Sequence, residues 1–194
     1  MDARLLDQLR HGEVQGGACF RGSQDDALSE AGWGQMLRAT AQMPVWTDIV
    51  SSPARRCADF ARHLAAIHEI PLRILDDFRE RHFGAWEGLT AAQIPPADLA
   101  RFWADPVGQT PPDAESFSDF RQRVRGVWSQ MRDTDEPRTL LVTHGGVIRV
   151  LLAEVLCLQD PAALLIEVPH ACLTRLRLPE PLGRPSLIAH GCRS

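Results

Sequence analysis

The sequence predicts an α/β fold: a three-layer sandwich with a mostly parallel central sheet, helices on both faces and a small cap insertion. Short apolar runs alternate with segments of helical periodicity, which is typical of strand–helix–strand units. The run at residues 139–143 is continuously apolar, as expected for a buried parallel strand. With 194 residues, 44% of them hydrophobic, the chain can bury one sizeable core. We therefore expect a single domain over residues 1–194, in which residues 76–115 form the cap.

The first 75 residues are predicted to contain three strands and two helices. The first strand is unusual because Asp7 and Gln8 stand near its centre, where such side chains are uncommon. Ser29 is a typical N-cap, and it begins a helix that ends before Pro44. Pro53 lies near the first turn of the second helix. The predicted order is strand 5–9, helix 29–43, strand 47–51, helix 53–68 and strand 72–75.

The cap is rich in glycine and proline, so we expect short helices at most within it. A segment of this length inside a compact domain is usually functional, which favours a lid over a site. Ser116 and Asp119 form a start resembling a capping box for an amphipathic helix. The remaining predicted elements are a strand at 139–143, a helix to about residue 156, and strands at 172–178 and 186–189.

All 21 basic residues are arginine, and lysine is absent. This excludes mechanisms that depend on lysine, such as those of P-loop, Schiff-base and Ser-Lys enzymes. An anion site must therefore use arginine, histidine, backbone N–H groups or a metal. The net charge of −4 does not indicate a nucleic-acid or membrane surface. The most apolar stretch, residues 147–158, contains Arg149 and Glu154 and is too short to span a bilayer.

The five cysteines are odd in number and scattered, and they form no Cys-x-x-Cys pair. This usage is typical of reduced thiols in a cytosolic protein. We therefore expect a cytoplasmic location and no disulfide framework.

Three of the predicted strands end in residues that suit phosphate. Arg10 and His11 follow the first strand, Arg56 follows the second within Ser-Ser-Pro-x-x-Arg, and His144 and Gly145 follow the clearest strand. In such sheets, ligands bind beyond the carboxyl ends of the strands. An imidazole can attack phosphorus, arginine can clamp phosphate oxygens, and helix N-termini add N–H donors. If these ends are adjacent, they form a site for a tetrahedral dianion.

Simpler interpretations of the same residues stay open at this point. Arg56 could be a solvated helix residue, and His144 could be a core histidine. Two histidines could also hold a metal, but such a site needs carboxylate or thiolate ligands at matched spacing. The chain has no His-Glu-x-x-His motif, and Glu13 is the only acid directly beside either histidine motif. We therefore predict no metal site.

A phosphohistidine enzyme also needs an acid that protonates the leaving oxygen. Glu80 is the candidate, because it stands at the entrance of the cap within Arg-Glu-Arg-His-Phe-Gly-Ala-Trp-Glu-Gly. Asp76, Asp77 and Glu87 are nearby alternatives, and each could be only a solvated charge.

Four motifs in this order resemble the histidine phosphatase superfamily, the family of phosphoglycerate mutases and related phosphatases. They are Arg-His-Gly-Glu at residues 10–13, Ser-Ser-Pro-x-x-Arg at 51–56, Glu-Arg-His-Phe-Gly-x-Trp-Glu-Gly at 80–88 and His-Gly-Gly-Val-Ile-Arg at 144–149. The resemblance covers roughly residues 5–178. It implies that His11 is the phosphorylated nucleophile and Glu80 the proton donor, and that no cofactor is needed. It also implies a phosphate pocket formed by Arg10, Arg56 and His144.

Within the superfamily the chain looks most like the α-ribazole phosphatases of cobalamin assembly. The features that favour this branch are the short length, the segment at residues 20–28 and the Phe-Gly-x-Trp-Glu-Gly string. Two positions depart from the family pattern. Gly17 stands where members commonly carry an asparagine, and Cys57 stands where a small residue usually follows the arginine of the second motif. We interpret Cys57 as a packing residue.

The resemblance implies a metal-independent phosphomonoesterase with α-ribazole 5′-phosphate as its substrate. Arg21, Arg81 and Trp86 are the predicted contacts to the alcohol portion. The alternatives are a transferase like phosphoglycerate mutase, a broad-specificity sugar or nucleotide phosphatase, and a non-enzymatic relative that binds phosphorylated ligands. The expected partner is a small-molecule phosphomonoester, with neither nucleic acid nor membrane, and the chain is expected to be a monomer or a homodimer.

Overall fold

The computed structural model describes residues 4–43, 45–132, 135–178 and 183–191. Pro44, before which the first helix was predicted to end, and Cys192, one of the five cysteines, lie outside the described residues. The described strands and α-helices are β1 Arg4–Arg10, α1 Glu30–Thr40, β2 Asp48–Ser51, α2 Arg55–His68, β3 Leu72–Ile74, α3 Pro96–Ala104, α4 Phe117–Arg132, β4 Arg138–Thr143, α5 Gly145–Leu156, α6 Asp160–Ala163, β5 Leu173–Leu178 and β6 Ser186–Gly191.

Every predicted strand is present, and no strand boundary differs from its prediction by more than two residues. The predicted caps also form: the Ser29 hydroxyl accepts a hydrogen bond from the Gly32 amide, and the Ser116 hydroxyl accepts one from the Asp119 amide, both at 3.0 Å. Helix α1 ends at Thr40, three residues earlier than predicted, and the one-turn helix α6 was not predicted.

The six strands form one sheet in the order β3-β2-β4-β1-β5-β6. The first four in this order are parallel, whereas β5 is antiparallel to β1, and β6 is antiparallel to β5. Helices α4 and α5 cover one face with an apolar cluster, and α1 and α2 cover the other. The predicted α/β sandwich with a mostly parallel sheet is therefore confirmed. Among the described helices, none is long and apolar enough to cross a membrane.

The charged residue in the middle of β1 has defined partners. Asp7 is fully buried, and its carboxylate accepts hydrogen bonds from Trp46 Nε1 at 2.9 Å and from Arg175 Nε and Nη2 at 2.7 and 2.8 Å. A buried carboxylate is stable only when it is paired in this way. Asp7 thus joins β1, β5 and the segment before β2, which explains a residue that strand propensity alone disfavours.

The cap, residues 76–115, contains three short 3-10 turns and helix α3, in agreement with the expectation of short helices. Trp86, Ile94 and Phe102 form a small apolar cluster that belongs to this segment, and Phe20 and Phe83 pack against it. The cap therefore has a local core apart from the two clusters of the sheet. Its assignment as an insertion into a single domain stays a prediction.

Candidate active site

The ends of β1 and β4 meet at one edge of the sheet and bring two predicted site residues together. Arg10 pairs in register with Thr143, and the His11 amide donates to the Thr143 carbonyl oxygen at 2.9 Å. His144 is the next residue after Thr143, so its ring lies beside that of His11, with 5.3 Å between the ring centroids. Two adjacent parallel strands thus place both imidazoles at the same point.

A pair of glycines lets helix α1 approach the loop that follows His11. A Cβ atom on Gly12 would lie 2.2 Å from the Gly32 carbonyl oxygen. A Cβ atom on Gly32 would lie 1.9 Å from the Glu13 carbonyl oxygen. Neither position tolerates a side chain, because backbone atoms are in the way. Ser29 adds a hydrogen bond from its hydroxyl to the Glu13 carboxylate at 2.7 Å. The start of α1 therefore fixes the backbone directly after His11.

The ring of His11 is oriented by the next residue. Its Nδ1 lies 2.8 Å from the Gly12 carbonyl oxygen. Because a carbonyl oxygen only accepts, Nδ1 carries the proton and Nε2 carries the lone pair. Burial, reinforced by the positive charges of Arg56 and Arg10, holds the pKa of His11 well below its ordinary value. The ring is therefore neutral at neutral pH, as a nitrogen nucleophile must be.

His144 is fully buried, and its Nε2 lies 2.7 Å from the hydroxyl oxygen of Ser52. Burial lowers the pKa of His144 well below its ordinary value, with Arg56 as the next cause. The sulfur of Cys57 lies 3.8 Å from the same Nε2, and burial raises the pKa of that thiol to about 12. The thiol is thus protonated and unreactive at neutral pH, which fits the packing role predicted for Cys57.

Arg10 and Arg56 face one cavity and are held by backbone carbonyls. Arg10 Nη1 donates to the Val168 carbonyl oxygen, and Arg56 donates through Nη1 to Gln24 at 2.6 Å and through Nη2 to Gly22 at 2.8 Å. The Nε–H of each arginine is buried and has no hydrogen-bond partner within the described residues. Carbonyl oxygens fix the two guanidinium groups without neutralising them. These cations and their unpaired donors therefore suit an anion.

Glu80 reaches the same cavity from the cap. Its Oε2 accepts a hydrogen bond from the Gly146 amide and its Oε1 accepts one from the Arg81 amide, both at 3.0 Å. A Cβ atom on Gly146 would lie 2.2 Å from Oε1, so only glycine leaves room for this carboxylate. The three alternative acids of the cap do not line the cavity. The structure thus brings Glu80 into the cavity that His11 lines.

The cavity between these groups has a volume of about 180 Å³. Its apolar wall includes Phe20 and Phe83, whose rings meet edge to face with centroids 5.2 Å apart. Gly145, predicted to bind phosphate, is the first residue of α5, and a Cβ atom there would lie 3.6 Å from Arg10 Nε. The positive end of the α5 dipole therefore lies beside Arg10.

Arg21 also lines the cavity, but its guanidinium already hydrogen-bonds to residues of its own loop. Nε donates to the Asp26 carboxylate at 2.9 Å, and Nη2 donates to the carbonyl oxygens of Gln15 at 2.7 Å and Gly17 at 2.6 Å. Gly17 has a φ of 74°, which glycine adopts without strain. The residue that replaces the family's usual asparagine thus contributes its backbone to hold Arg21.

Arg81 and Trp86, which were predicted to contact the substrate, do not line this cavity. Arg81 is buried and donates to the carbonyl oxygens of Glu115 at 2.9 Å and Pro106 at 3.0 Å. Trp86 packs against Phe102, with 5.3 Å between ring centroids, and lines a separate cavity of about 290 Å³ in the cap. Both side chains therefore hold the cap together, because its carbonyls and aromatic rings surround them.

Sequence reasoning missed His170, which lines the cavity from the turn before β5. Its ring centroid lies 5.8 Å from that of His11. Because β5 is antiparallel to β1, the beginning of β5 reaches the edge of the sheet where β1 ends. A search of the beginnings of antiparallel strands, as well as the ends of parallel ones, would have found it.

Cys19, Cys57, Cys157 and Cys172 form no disulfide with one another. Within the described ranges, no group of three or more histidine, cysteine, aspartate or glutamate side chains is arranged to hold a metal ion.

The chain is similar in sequence to known phosphatases over most of its length. The family model for the histidine phosphatase superfamily (branch 1) matches residues 8–187. The chain is 35% identical over 176 residues to glucosyl-3-phosphoglycerate phosphatase of Mycobacterium tuberculosis, a match that covers 80% of this chain and 77% of the relative. It is 27% identical over 180 residues to adenosylcobalamin/α-ribazole phosphatase of Salmonella typhimurium, with 89% of each covered.

Solved structures agree on the fold. A putative α-ribazole-5′-P phosphatase from Escherichia coli superposes with a TM-score of 0.88 at 21% identity, over 100% of this chain and 98% of that one.

Other relatives are longer: the chain spans 43% of the length of a bifunctional protein of Mycobacterium tuberculosis, to which it is 37% identical over 157 residues. The match to the family model includes the ends of β1, β2 and β4 and the cap. The chain therefore belongs to the histidine phosphatase superfamily.

Proposed function

We propose that this protein is a metal-independent phosphomonoesterase that works through a phosphohistidine intermediate on His11. One observation carries the proposal: a neutral, oriented imidazole shares a cavity with Arg10 and Arg56, whose buried Nε–H groups have no hydrogen-bond partner among the residues that the structure describes. A phosphoryl dianion would supply acceptors for these donors and neutralise both cations. Membership of the superfamily and the phosphatase names of the relatives support the same chemistry.

In the first half-reaction, Nε2 of His11 attacks phosphorus, and the bond between phosphorus and the ester oxygen breaks. Glu80, in its acid form, transfers its proton to the leaving alkoxide. Arg10 and Arg56 hold the oxygens of the transferring group, where negative charge is concentrated. His144 completes the phosphate pocket beside His11.

In the second half-reaction, water attacks the phosphohistidine and the bond between phosphorus and Nε2 breaks. Glu80, now a carboxylate, accepts the proton of the attacking water and returns to its acid form. Inorganic phosphate leaves, and His11 is again neutral. No metal or cofactor takes part in either step.

We propose hydrolysis, rather than transfer to a second substrate, as the main reaction, and the cytosol as its location. A mutase must shield its phosphohistidine from water, and the cap here is a short segment of 3-10 turns and one helix. The free cysteines of the described chain are typical of a reducing compartment.

For the alcohol portion we propose α-ribazole. Phe20 and Phe83 provide apolar surface beside the phosphate pocket, which suits an ester that carries a planar base. The similarity to the Salmonella phosphatase supports this choice. Glucosyl-3-phosphoglycerate is the second candidate, favoured by the 35% identity to the mycobacterial enzyme. Its carboxylate would need a further cation, and Arg21 is already paired with Asp26.

The nucleophile is tested by trapping. Quenching the enzyme during turnover should leave an acid-labile, base-stable phosphoryl group on His11, detectable by mass spectrometry. His11→Ala should abolish both the trapped group and turnover, because the substitution removes the oriented Nε2 lone pair that attacks phosphorus. His68→Ala, which changes an exposed histidine of α2, is the control and should behave as the unsubstituted protein. Unchanged turnover in His11→Ala would overturn the assignment.

The neutral state of His11 predicts how stability depends on pH. In the unfolded chain a histidine titrates near 6.5, whereas the folded pKa of His11 lies well below that value. As the pH falls below about 6.5, the unfolded chain binds a proton that the folded protein does not, so the free energy of unfolding decreases. Each such histidine contributes up to about 1.4 kcal/mol per pH unit until its folded pKa is reached.

Urea unfolding at several pH values between about 7 and 5 measures this slope. His11→Asn, which cannot titrate, should give a shallower slope than the unsubstituted protein. Equal slopes would mean that His11 takes up its proton at the same pH in the folded and unfolded states, which would contradict its lowered pKa.

Glu80→Gln keeps the shape of the side chain but removes the transferable proton. We expect kcat for an alkyl phosphate to fall about 10²–10⁴-fold, the usual contribution of general acid catalysis. The loss should be small for p-nitrophenyl phosphate, whose leaving group needs little protonation. Asp77→Asn, which changes an exposed acid of the same segment, is the matched control. Equal losses on both substrates in Glu80→Gln would count against Glu80 as the acid.

The substrate is tested by comparing kcat/KM for α-ribazole 5′-phosphate, glucosyl-3-phosphoglycerate, AMP and 3-phosphoglycerate, with EDTA present. We expect α-ribazole 5′-phosphate to give the highest value, with full activity in EDTA. A higher value for glucosyl-3-phosphoglycerate would reject the α-ribazole assignment and leave the phosphohistidine chemistry intact. Transfer to 3-phosphoglycerate that is faster than hydrolysis would instead identify a mutase.

A further inference from the structure

We propose that His170 is a third imidazole of the phosphate pocket, which donates a hydrogen bond to the bound phosphoryl group and carries a proton while the dianion is present. This inference rests on the proposed function, because it concerns the same substrate group. His170 lies outside the four sequence motifs, so the motifs do not assign it a role.

The backbone holds His170 at the cavity by a strained turn. Ala171 is buried and has a φ of 55°, a left-handed conformation that is costly for a residue with a Cβ atom. The Cys172 amide closes the turn on the Pro169 carbonyl oxygen at 3.0 Å, and the Ala171 amide donates to the His11 carbonyl oxygen at 3.2 Å. Strain that persists at a cavity is typical of functional positions. The turn thus ties the backbone of His170 to that of the nucleophile.

The ring of His170 lies on the same side of the sheet edge as the ring of His11. Both rings line the cavity, with centroids 5.8 Å apart and planes tilted by 41°. A phosphoryl group attached to His11 on its cavity side is therefore within hydrogen-bond reach of His170. Arg10 and Arg56 line the same cavity, so the four side chains can surround one tetrahedral group.

The charges that face His170 determine how its protonation depends on a bound dianion. Burial is the largest cause that lowers its pKa, Arg10 of β1 and Arg21 of the glycine-rich loop lower it further, and Glu13 raises it. The neighbouring His11 is neutral, so it adds no charge at neutral pH. A dianion in the cavity offsets the positive charge of these arginines. The bound state therefore favours the imidazolium form of His170.

The proton is tested with sulfate, a tetrahedral dianion that does not titrate between about pH 5 and 8. The imidazole resonances of the unsubstituted protein are titrated by NMR with and without sulfate, and His170 is identified by sequential assignment. We expect sulfate to move the midpoint of the His170 titration to higher pH by about 1 or more. The exposed His68 should not respond. An unchanged midpoint for His170 would overturn the proposed proton uptake.

The hydrogen bond is tested with His170→Ala and His170→Gln, with His68→Ala as the matched control. We expect His170→Ala to raise the Ki of sulfate and the KM of a phosphomonoester by about tenfold, as for loss of a hydrogen bond to a charged group. His170→Gln keeps a neutral donor, so its loss should be smaller and its Ki should no longer fall as the pH is lowered from about 7.5 to 6. A purely structural role would lower thermal stability without this change in pH profile.

Failure of this inference is distinguishable from failure of the proposed function. If the unsubstituted protein hydrolyses phosphomonoesters and both His170 variants match it in KM, Ki and pH profile, the inference fails and the proposed function stands. If the unsubstituted protein shows no hydrolysis but sulfate binding still depends on His170, the proposed function fails and the anion contact stands. The NMR titration uses the unsubstituted protein, so it decides the proton uptake even if a variant does not fold.

Discussion

The site depends first on the parallel pairing of β1 with β4. The hydrogen bond from the His11 amide to the Thr143 carbonyl oxygen extends this pairing one residue beyond β1. Side chains that are far apart in sequence then meet at one edge of the sheet. The neighbouring strand β2 ends in register as well, and Ser52 just beyond it contacts His144. A shift in this register would separate the two imidazoles. The geometry of the site therefore depends on the register of the sheet.

The same edge of the sheet holds a concentration of positive charge. Arg10 and Arg56 bond to carbonyl oxygens, and among the described residues the buried Nε–H of each has no hydrogen-bond partner, which costs free energy. The imidazoles of His11 and His144 add no positive charge, because burial and these arginines lower their pKa values and keep both rings neutral. The pocket is therefore less stable than an apolar core of the same size would be. In the proposed function, a bound phosphoryl dianion offsets this cost, and the offset contributes to its affinity.

The strands and the residues at their carboxyl ends could be predicted from the sequence, because a parallel sheet aligns those ends independently of the conformation of the loops. Arg10, His11 and His144 were correctly placed at one edge of the sheet in this way. The sequence was insufficient where position depends on tertiary contacts: the carbonyls that bury Arg81 lie far from it in sequence. His170 was missed for a different reason, since it precedes an antiparallel strand whose beginning, not its end, reaches the site.

The cap combines a carboxylate held from outside the cap with an apolar cluster of its own. Arg123 of α4 donates to the Glu80 carbonyl oxygen at 3.0 Å and binds both carboxylate oxygens of Glu115 at 2.7 and 2.9 Å, so it holds the two ends of the cap to the sheet domain. The Glu80 carboxylate is held in turn by the amide of Gly146 at the start of α5. The position of the acid is thus set by helices that pack on the sheet. The aromatic cluster between these ends has packing contacts of its own, so the contacts that hold Glu80 do not depend on it.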